Sequence, residues 1–128
     1  MMFPKEPRYT NRAVLDLAKD QPCLLRTKLC QGGTESTVSC HGAGVANGKG
    51  MGYKVGDDMT VWGCGRCNFF TDAYSGATAE EKTRAFEAGF RRQIVAWQAI
   101  ANNPSAKPKA VNAAREVLAY LKTKGEVA

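Results

Sequence analysis

The spacing of the cysteines constrains this chain more than any other feature. Cys64 and Cys67 enclose two residues in a Cys-Gly-Arg-Cys turn, and Cys23 and Cys30 lie upstream on either side of a longer loop. Two thiolates from one tight turn can share a tetrahedral ion, and two more complete a closed structural zinc site. The sequence therefore predicts that Zn²⁺ joins the N-terminal part of the chain to the Cys-Gly-Arg-Cys turn.

Two other uses of the cysteines compete with zinc: buried thiols that hold no metal, and a redox pair. We expect no signal peptide and a cytoplasmic location, and a reducing compartment favours a metal site over disulfides. The chain also has five cysteines, an odd number that cannot pair completely. The redox alternative is disfavoured because Cys64 and Cys67 lack a βαβ context. Cys40 is the spare thiol, interpreted as a buried strand residue or a neighbour of the site.

The chain falls into three regions with different periodicity. In the first, Asn11 is the predicted N-cap of a short helix. The apolar stripe of that helix comprises Ala13, Val14, Leu17 and Ala18. The second region, residues 21–76, holds every cysteine, the only histidine and most of the glycines. Its β-favouring residues predict two short strands, over residues 37–41 and 59–63.

The third region predicts two helices. Thr78 and Glu81 form a capping box that begins a helix over residues 78–101. Its apolar residues recur at helical spacing on one face, namely Phe86, Phe90, Ile94 and Trp97. A second helix, over residues 108–123, carries its own stripe of Val111, Ala114, Leu118 and Leu121. At 128 residues the whole chain, residues 1–128, is predicted to form a single α+β domain.

His41 is the only histidine, so any imidazole chemistry depends on it. It ends the first predicted strand and precedes a loop, residues 42–56, that contains six glycines together with Lys49 and Lys54. Glycines allow close approach of the backbone to phosphates, and the lysines supply positive charge. The formal net charge of +6 also favours a polyanionic partner. A structural histidine and an ordinary surface loop remain the alternatives.

Asn68 and Asp72 follow the Cys-Gly-Arg-Cys turn at a spacing of one helical turn. An amide oxygen and a carboxylate so placed can hold a hard divalent ion such as Mg²⁺. The alternative is a solvated pair on the surface of a helix. The order of strand with histidine, loop, strand, cysteine turn, asparagine and helix is that of a ββα-metal nuclease, which favours the ligand interpretation.

These motifs resemble a family of small phage and prophage nucleases of the HNH, or His-Me finger, group. The resemblance covers about residues 1–97, including the Met-Phe-Pro-Lys opening, the Ser-Cys-His sequence and the Gly-Lys-Gly-Met-Gly loop. It implies a zinc-stabilised ββα-metal (HNH-like) core over residues 21–76, flanked by α-helices. It also implies a phage- or prophage-encoded protein in the cytoplasm of a bacterial host. The chain from Asn102 onward lies outside the resemblance.

The resemblance further implies a one-metal hydrolase of DNA phosphodiesters. His41 would take the proton from an attacking water, and Mg²⁺ or Mn²⁺ would stabilise the developing charge. Asn68 and Asp72 would bind that ion, and Asp57 would orient His41 or fix the loop. The basic residues expected to contact nucleic acid are Lys49, Lys54, Arg66, Arg91 and Arg92.

Three functions follow from the sequence. The first is a metal-dependent endonuclease, for which branched or recombination intermediates of phage DNA are the expected substrates. The second is a non-catalytic zinc-stabilised module that binds nucleic acid, and the third is a protein adaptor without affinity for DNA. We expect no membrane partner. The stripe over residues 111–121 either packs on the preceding helix or forms a homodimer.

Overall fold

A computed structural model of the protein describes residues 8–42 and 55–127. Over these ranges it contains four helices and one two-stranded antiparallel sheet. In chain order they are α1 (Arg12–Asp16), β1 (Val38–His41), β2 (Thr60–Gly63), α2 (Gly65–Asp72), α3 (Ala79–Ala101) and α4 (Pro108–Thr123). The predicted mixture of helices and strands is confirmed. Most of the glycine-rich loop, with Lys49 and Lys54, lies outside the described residues.

The two strands form a hairpin in which Val38 lies opposite Gly63 and His41 lies opposite Thr60. The outer edge of β2 is covered by other parts of the chain. The Trp62 N–H donates to Gln93 Oε1 at 2.7 Å, and the Trp62 carbonyl accepts the Leu24 N–H at 2.7 Å. An isolated two-stranded ribbon is barely stable, so these contacts make β2 part of the protein core.

Side-chain caps determine where three of the helices begin. Asn11 caps α1 as predicted, with its side chain accepting the Val14 N–H. Thr78 and Glu81 form the complete predicted capping box of α3. The N-cap of α2 is Cys64, whose sulfur accepts the Cys67 N–H. The element that follows the hairpin is therefore a helix that begins at a cysteine.

The core is a single cluster of buried hydrophobic side chains that includes residues of α1, both strands, α2, α3 and α4. On α4, Ala114, Val117 and Leu121 are fully buried, and this helix packs against α3 and α1. Of the predicted stripe, Ala114 and Leu121 are buried within the chain whereas Val111 and Leu118 are half-buried, and homodimer formation stays a prediction. No helix in the described part of the chain is both long and apolar enough to cross a lipid bilayer.

Gly63 lets β2 lie directly against the N-terminal loop. A Cβ atom at this position would come within 2.6 Å of Leu25 Cδ1 and 2.8 Å of Cys40 Sγ. We expect Gly63→Ala to lower the free energy of unfolding by about 1–3 kcal/mol through overpacking, as measured by denaturant titration. Gly65→Ala is the matched control, because its Cβ would have no neighbour closer than 3.8 Å. Equal losses in the two variants would contradict this packing argument.

Candidate functional site

Four cysteine sulfurs converge where the N-terminal loop meets the start of α2. The Sγ atoms of Cys23, Cys30, Cys64 and Cys67 all lie within 4.8 Å of one another. The Cys30 and Cys64 sulfurs are 4.0 Å apart, and every cysteine is a free thiol. Zn–S bonds of about 2.3 Å in a tetrahedron separate the sulfurs by roughly 3.8 Å. The cluster predicted from the spacing is confirmed as a group that can hold one zinc ion.

Local backbone structure brings these sulfurs together. Cys64 is the extended N-cap of α2 and Cys67 lies in its first turn, so one tight turn presents both sulfurs. On the other side, the N–H groups of Leu24 and Leu25 are bonded to the Trp62 carbonyl, which fixes the loop beside Cys23. Arg26 has a left-handed φ of 50°, and the turn that follows is closed by the Cys30 N–H, which donates to the Thr27 carbonyl at 3.0 Å.

Thr27 supports the cluster from within the N-terminal loop, and the sequence analysis missed it. Its Oγ1 lies 3.1 Å from Cys67 Sγ, and its N–H donates to the same sulfur at 3.4 Å. The Leu29 N–H donates to Thr27 Oγ1 at 3.2 Å, and the hydroxyl can donate its proton to the sulfur when Cys67 is a thiolate. Such bonds stabilise a thiolate ligand and orient it. The only available signal was the position of Thr27 between two cysteines.

The thiols differ in how readily they lose a proton. Burial raises the pKa of Cys64, but hydrogen bonds from the N–H groups of Gln31 and Cys67 outweigh it and lower that pKa to about 7. Burial raises the pKa of Cys67 and of Cys30. Because zinc binds thiolates, the lowered pKa of Cys64 favours this sulfur as a zinc ligand over those of Cys67 and Cys30.

Cys40 lies beside the cluster but is not part of it. It is 1 % exposed, and its Sγ faces the carbonyls of Val38 and Gly63 at 3.7 and 3.8 Å. Burial raises the pKa of its thiol to about 12. The interpretation of Cys40 as a buried strand residue is confirmed, and its sulfur stays protonated at neutral pH.

His41 ends β1 and forms a pair with Asp57. Its Nε2 lies 2.9 Å from Asp57 Oδ1, and the histidine side chain is 39 % exposed whereas that of the aspartate is 8 % exposed. An ionised carboxylate can only accept, so Nε2 carries the proton of the neutral ring and Nδ1 keeps its lone pair. The pair therefore combines a solvent-accessible imidazole with a buried orienting group.

Every polar group of Asp57 has a partner. Besides His41, its side chain accepts the Asn11 N–H through Oδ2 at 2.8 Å. Its own N–H donates to the Tyr9 carbonyl at 2.9 Å, and its carbonyl accepts the Thr60 hydroxyl at 3.1 Å. Burial alone would raise the pKa of Asp57, but the hydrogen bonds from His41 and Asn11 lower it below its usual value. This is the contact that an orienting role requires, and the role itself stays a prediction.

The lowered pKa of Asp57 predicts how stability changes in acid. Because the folded pKa lies below the unfolded value, the carboxylate stabilises the fold above pH 4 or so, and this contribution disappears as pH falls through the folded pKa. We expect the difference in free energy of unfolding between wild type and Asp57→Asn to shrink below about pH 5. Denaturant titrations across pH 3–7 measure it, and taking the difference cancels acid effects common to both proteins. Parallel profiles would contradict the prediction.

The predicted magnesium ligands lie on the outer face of α2. Asn68 is half-buried and Asp72 is exposed. Among the described residues, the four cysteines are the only group of three or more His, Cys, Asp or Glu side chains close enough to share an ion. The structure thus brings His41 to Asp57 but does not gather Asp72 with them. One reason is the register of the hairpin. Helix α2 follows Gly63, which pairs with Val38, whereas His41 lies at the opposite end of β1 and pairs with Thr60.

The predicted nucleic-acid contacts have different surroundings. Arg66 on α2 and Arg91 on α3 are exposed. Arg92 is half-buried, and its Nη1 donates to the Leu24 carbonyl at 2.7 Å, so this guanidinium supports the N-terminal loop. Of the predicted basic contacts in the described ranges, Arg66 and Arg91 are therefore the better candidates to meet a phosphate.

Comparison with known proteins finds no matching family model, curated protein or solved structure. The resemblance to HNH nucleases thus depends on the motifs themselves. Two of the residue groups in those motifs come together in the described part of the chain. One is the cysteine cluster that can hold zinc, and the other is the histidine–aspartate pair at the end of the neighbouring hairpin.

Proposed function

We propose that the protein is a metal-dependent endonuclease that hydrolyses DNA phosphodiester bonds, with His41 as its general base. The observation that carries this proposal is the 2.9 Å contact between the exposed His41 ring and the buried Asp57 carboxylate. A general base needs a lone pair within reach of solvent and a partner that fixes its tautomer. Nδ1 of His41 supplies the first and Asp57 the second.

The arrangement of the surrounding elements supports the same proposal. A hairpin that ends in histidine at β1 is followed by α2, and the four thiols at the junction can tie this unit to the N-terminal loop. The order of elements is that of the ββα-metal nucleases that the motifs resemble. The net charge of +6 and the exposed Arg66 and Arg91 favour a polyanionic substrate.

Asn68 and Asp72 are the residues that would hold the catalytic Mg²⁺ or Mn²⁺. Their amide and carboxylate oxygens are the donors that Mg²⁺ takes, commonly with water in the remaining positions. Within the described ranges neither side chain has a hydrogen-bond or ion-pair partner that would occupy it. When bound, the ion would supply electrostatic stabilisation of the phosphate. Asp57 meanwhile holds the imidazole in the tautomer that accepts a proton at Nδ1.

A cleavage assay with zinc-loaded protein tests the proposal. Supercoiled plasmid and branched DNA are incubated with Mg²⁺, Mn²⁺ or Ca²⁺ beside a sample without added metal. We expect cutting with Mg²⁺ or Mn²⁺, and a loss of it in Asp72→Ala at unchanged zinc content. Glu87→Ala, which removes an exposed carboxylate from α3, is the control and should cut normally. No cutting of either DNA with any metal would refute the proposal.

A non-catalytic zinc module that binds nucleic acid is the second candidate. It is favoured by one observation, that the structure does not gather Asp72 with His41 and Asp57 around a single ion. It predicts DNA binding that weakens steeply with salt, together with no cleavage and no response to His41→Ala. If the protein neither binds nor cleaves DNA, the protein adaptor is the function that remains.

A further inference from the structure

The end of α4 meets the turn that carries Asp57. Lys124, the residue after α4, places its Nζ 2.6 Å from Asp58 Oδ2. The Asp58 side chain is only 3 % exposed, whereas the lysine is 37 % exposed. A buried carboxylate needs a charged or hydrogen-bonding partner, and losing that partner is costly. The ion pair therefore fixes the residue next to Asp57 in the chain.

A second contact joins α4 to the N-terminal segment that is hydrogen-bonded to Asp57. The Tyr120 and Tyr9 rings stack with centroids 4.2 Å apart and an interplanar angle of 19°. Tyr9 in turn accepts the Asp57 N–H, and its hydroxyl accepts Asn11 Nδ2 at 2.9 Å. Of the two supports of Asp57 on this side, Tyr9 thus stacks on a ring of α4, and Asn11 is hydrogen-bonded to the hydroxyl of Tyr9.

The turn between these two contacts has little room to move. A Cβ atom on Gly56 would come within 3.3 Å of Tyr9 and would collide with Asp58 Oδ1. Lys124 Nζ also lies 5.6 Å from the centroid of the Tyr120 ring, so the C-cap of α4 and a residue of its last turn are in contact with each other. A displacement of α4 would therefore be transmitted to Asp57 through both of its sides.

We propose that the C-terminal helix positions the histidine pair, with Lys124 and Tyr120 as positioning residues that hold Asp57 where it orients His41. Tyr120 and Lys124 both lie beyond residue 97, where the resemblance to HNH nucleases ends. The inference deepens the proposed function and rests on it for its catalytic meaning. The orientation of His41 is measurable without any cleavage, which keeps the two ideas separable.

His41 is the only histidine, so long-range ¹H–¹⁵N spectra report its tautomer without ambiguity. In the wild type at a pH where the ring is neutral, we expect the proton to be held on Nε2. Asp57→Ala, which removes the acceptor altogether, gives the reference for a ring that is no longer held in this way. In Lys124→Met and in Tyr120→Leu we expect a spectrum shifted from the wild type toward that reference.

Two further variants separate positioning from general damage. Lys122→Met removes the same charge from the exposed last turn of α4 and is expected to match the wild type. Lys124→Arg keeps the charge at Asp58 and should restore the wild-type tautomer. If Lys124→Met fails to fold, the double variant Asp58→Asn/Lys124→Met removes the unpaired buried charge and tests the same contact. That double variant should also show the shifted spectrum.

Cleavage provides the second readout. We expect kcat of Lys124→Met to fall on the order of tenfold, with a smaller change in KM, because a displaced base slows the chemical step. A folded, zinc-loaded Lys124→Met with the spectrum and kcat of Lys122→Met would overturn the positioning role. If the wild type cuts no DNA, the proposed function fails, and the tautomer spectra still decide whether α4 orients His41.

Discussion

Removing zinc is expected to unfold the half of the chain that the four cysteines join. The loop between α1 and β1 contains no helix or strand of its own, and its contacts with α2 include the sulfurs of Cys23 and Cys30 beside single hydrogen bonds such as that from Gly65 N–H to Ser36 Oγ. Structural zinc in zinc-finger peptides contributes about 10–16 kcal/mol of binding free energy at neutral pH, comparable to the entire stability of a typical domain at about 5–15 kcal/mol. We expect one zinc per chain and loss of cooperative unfolding after chelation.

Single substitutions distinguish the metal from the packing of the cysteines. Cys67→Ser should lose zinc and the cooperative transition together, since a hydroxyl is a poor zinc ligand at neutral pH. Cys40→Ala is the matched control, because Cys40 is equally buried but lies outside the cluster. It should keep one zinc and lose only about 1–2 kcal/mol of stability. Elemental analysis and circular dichroism measure both properties. A metal-free protein with unchanged stability would disprove the zinc site.

The second large effect is expected at His41. If His41 is the general base, His41→Ala should lower the rate of DNA cleavage about 10²–10⁴-fold while leaving zinc content unchanged. Its side chain is partly exposed and, among the described residues, is hydrogen-bonded to Asp57, so we expect a loss of only about 1–3 kcal/mol in the free energy of unfolding from the unpaired carboxylate oxygen. Single-turnover cleavage of labelled DNA separates this loss from a loss of binding.

Controls on the same hairpin make the His41 result interpretable. Val38→Thr changes an exposed residue of β1 and keeps its β-branched shape, so it should cut at the wild-type rate. Asp57→Asn should lose less than His41→Ala, because the base remains and only its orienting carboxylate is removed. Equal cutting by wild type and His41→Ala would point to a contaminant or to another base.

Features encoded over short stretches of sequence were predictable. The capping box at Thr78 and Glu81 and the N-cap at Asn11 depend on neighbours within one helical turn. The cysteine cluster was also predictable, although it joins distant segments, because few other structures require thiols at this spacing. These parts of the fold and of the zinc site needed no knowledge of the tertiary structure.

Contacts that depend on the path of the chain were not predictable. Arg92 was expected to meet nucleic acid, but its partner is the carbonyl of Leu24, 68 positions away. Lys124 and Asp58 are separated by 66 positions, and Thr27 and Cys67 by 40. No periodicity or local motif links such pairs, because only the packing of complete elements brings them together. Asp57 was identified as a candidate, yet the four partners that hold it could not be named beforehand.

The dual use of Cys64 has a consequence for how α2 forms. Its sulfur is both the N-cap that accepts the Cys67 N–H and a member of the zinc cluster. A helix of eight residues is far below the length at which a peptide helix is stable alone, because the first turn is the costly step of nucleation. A zinc ion bound by the sulfurs of Cys64 and Cys67 would fix that first turn and so would lower the cost of nucleating the helix. The folding of the face carrying Asn68 and Asp72 would then depend on zinc binding at a site that contains neither residue.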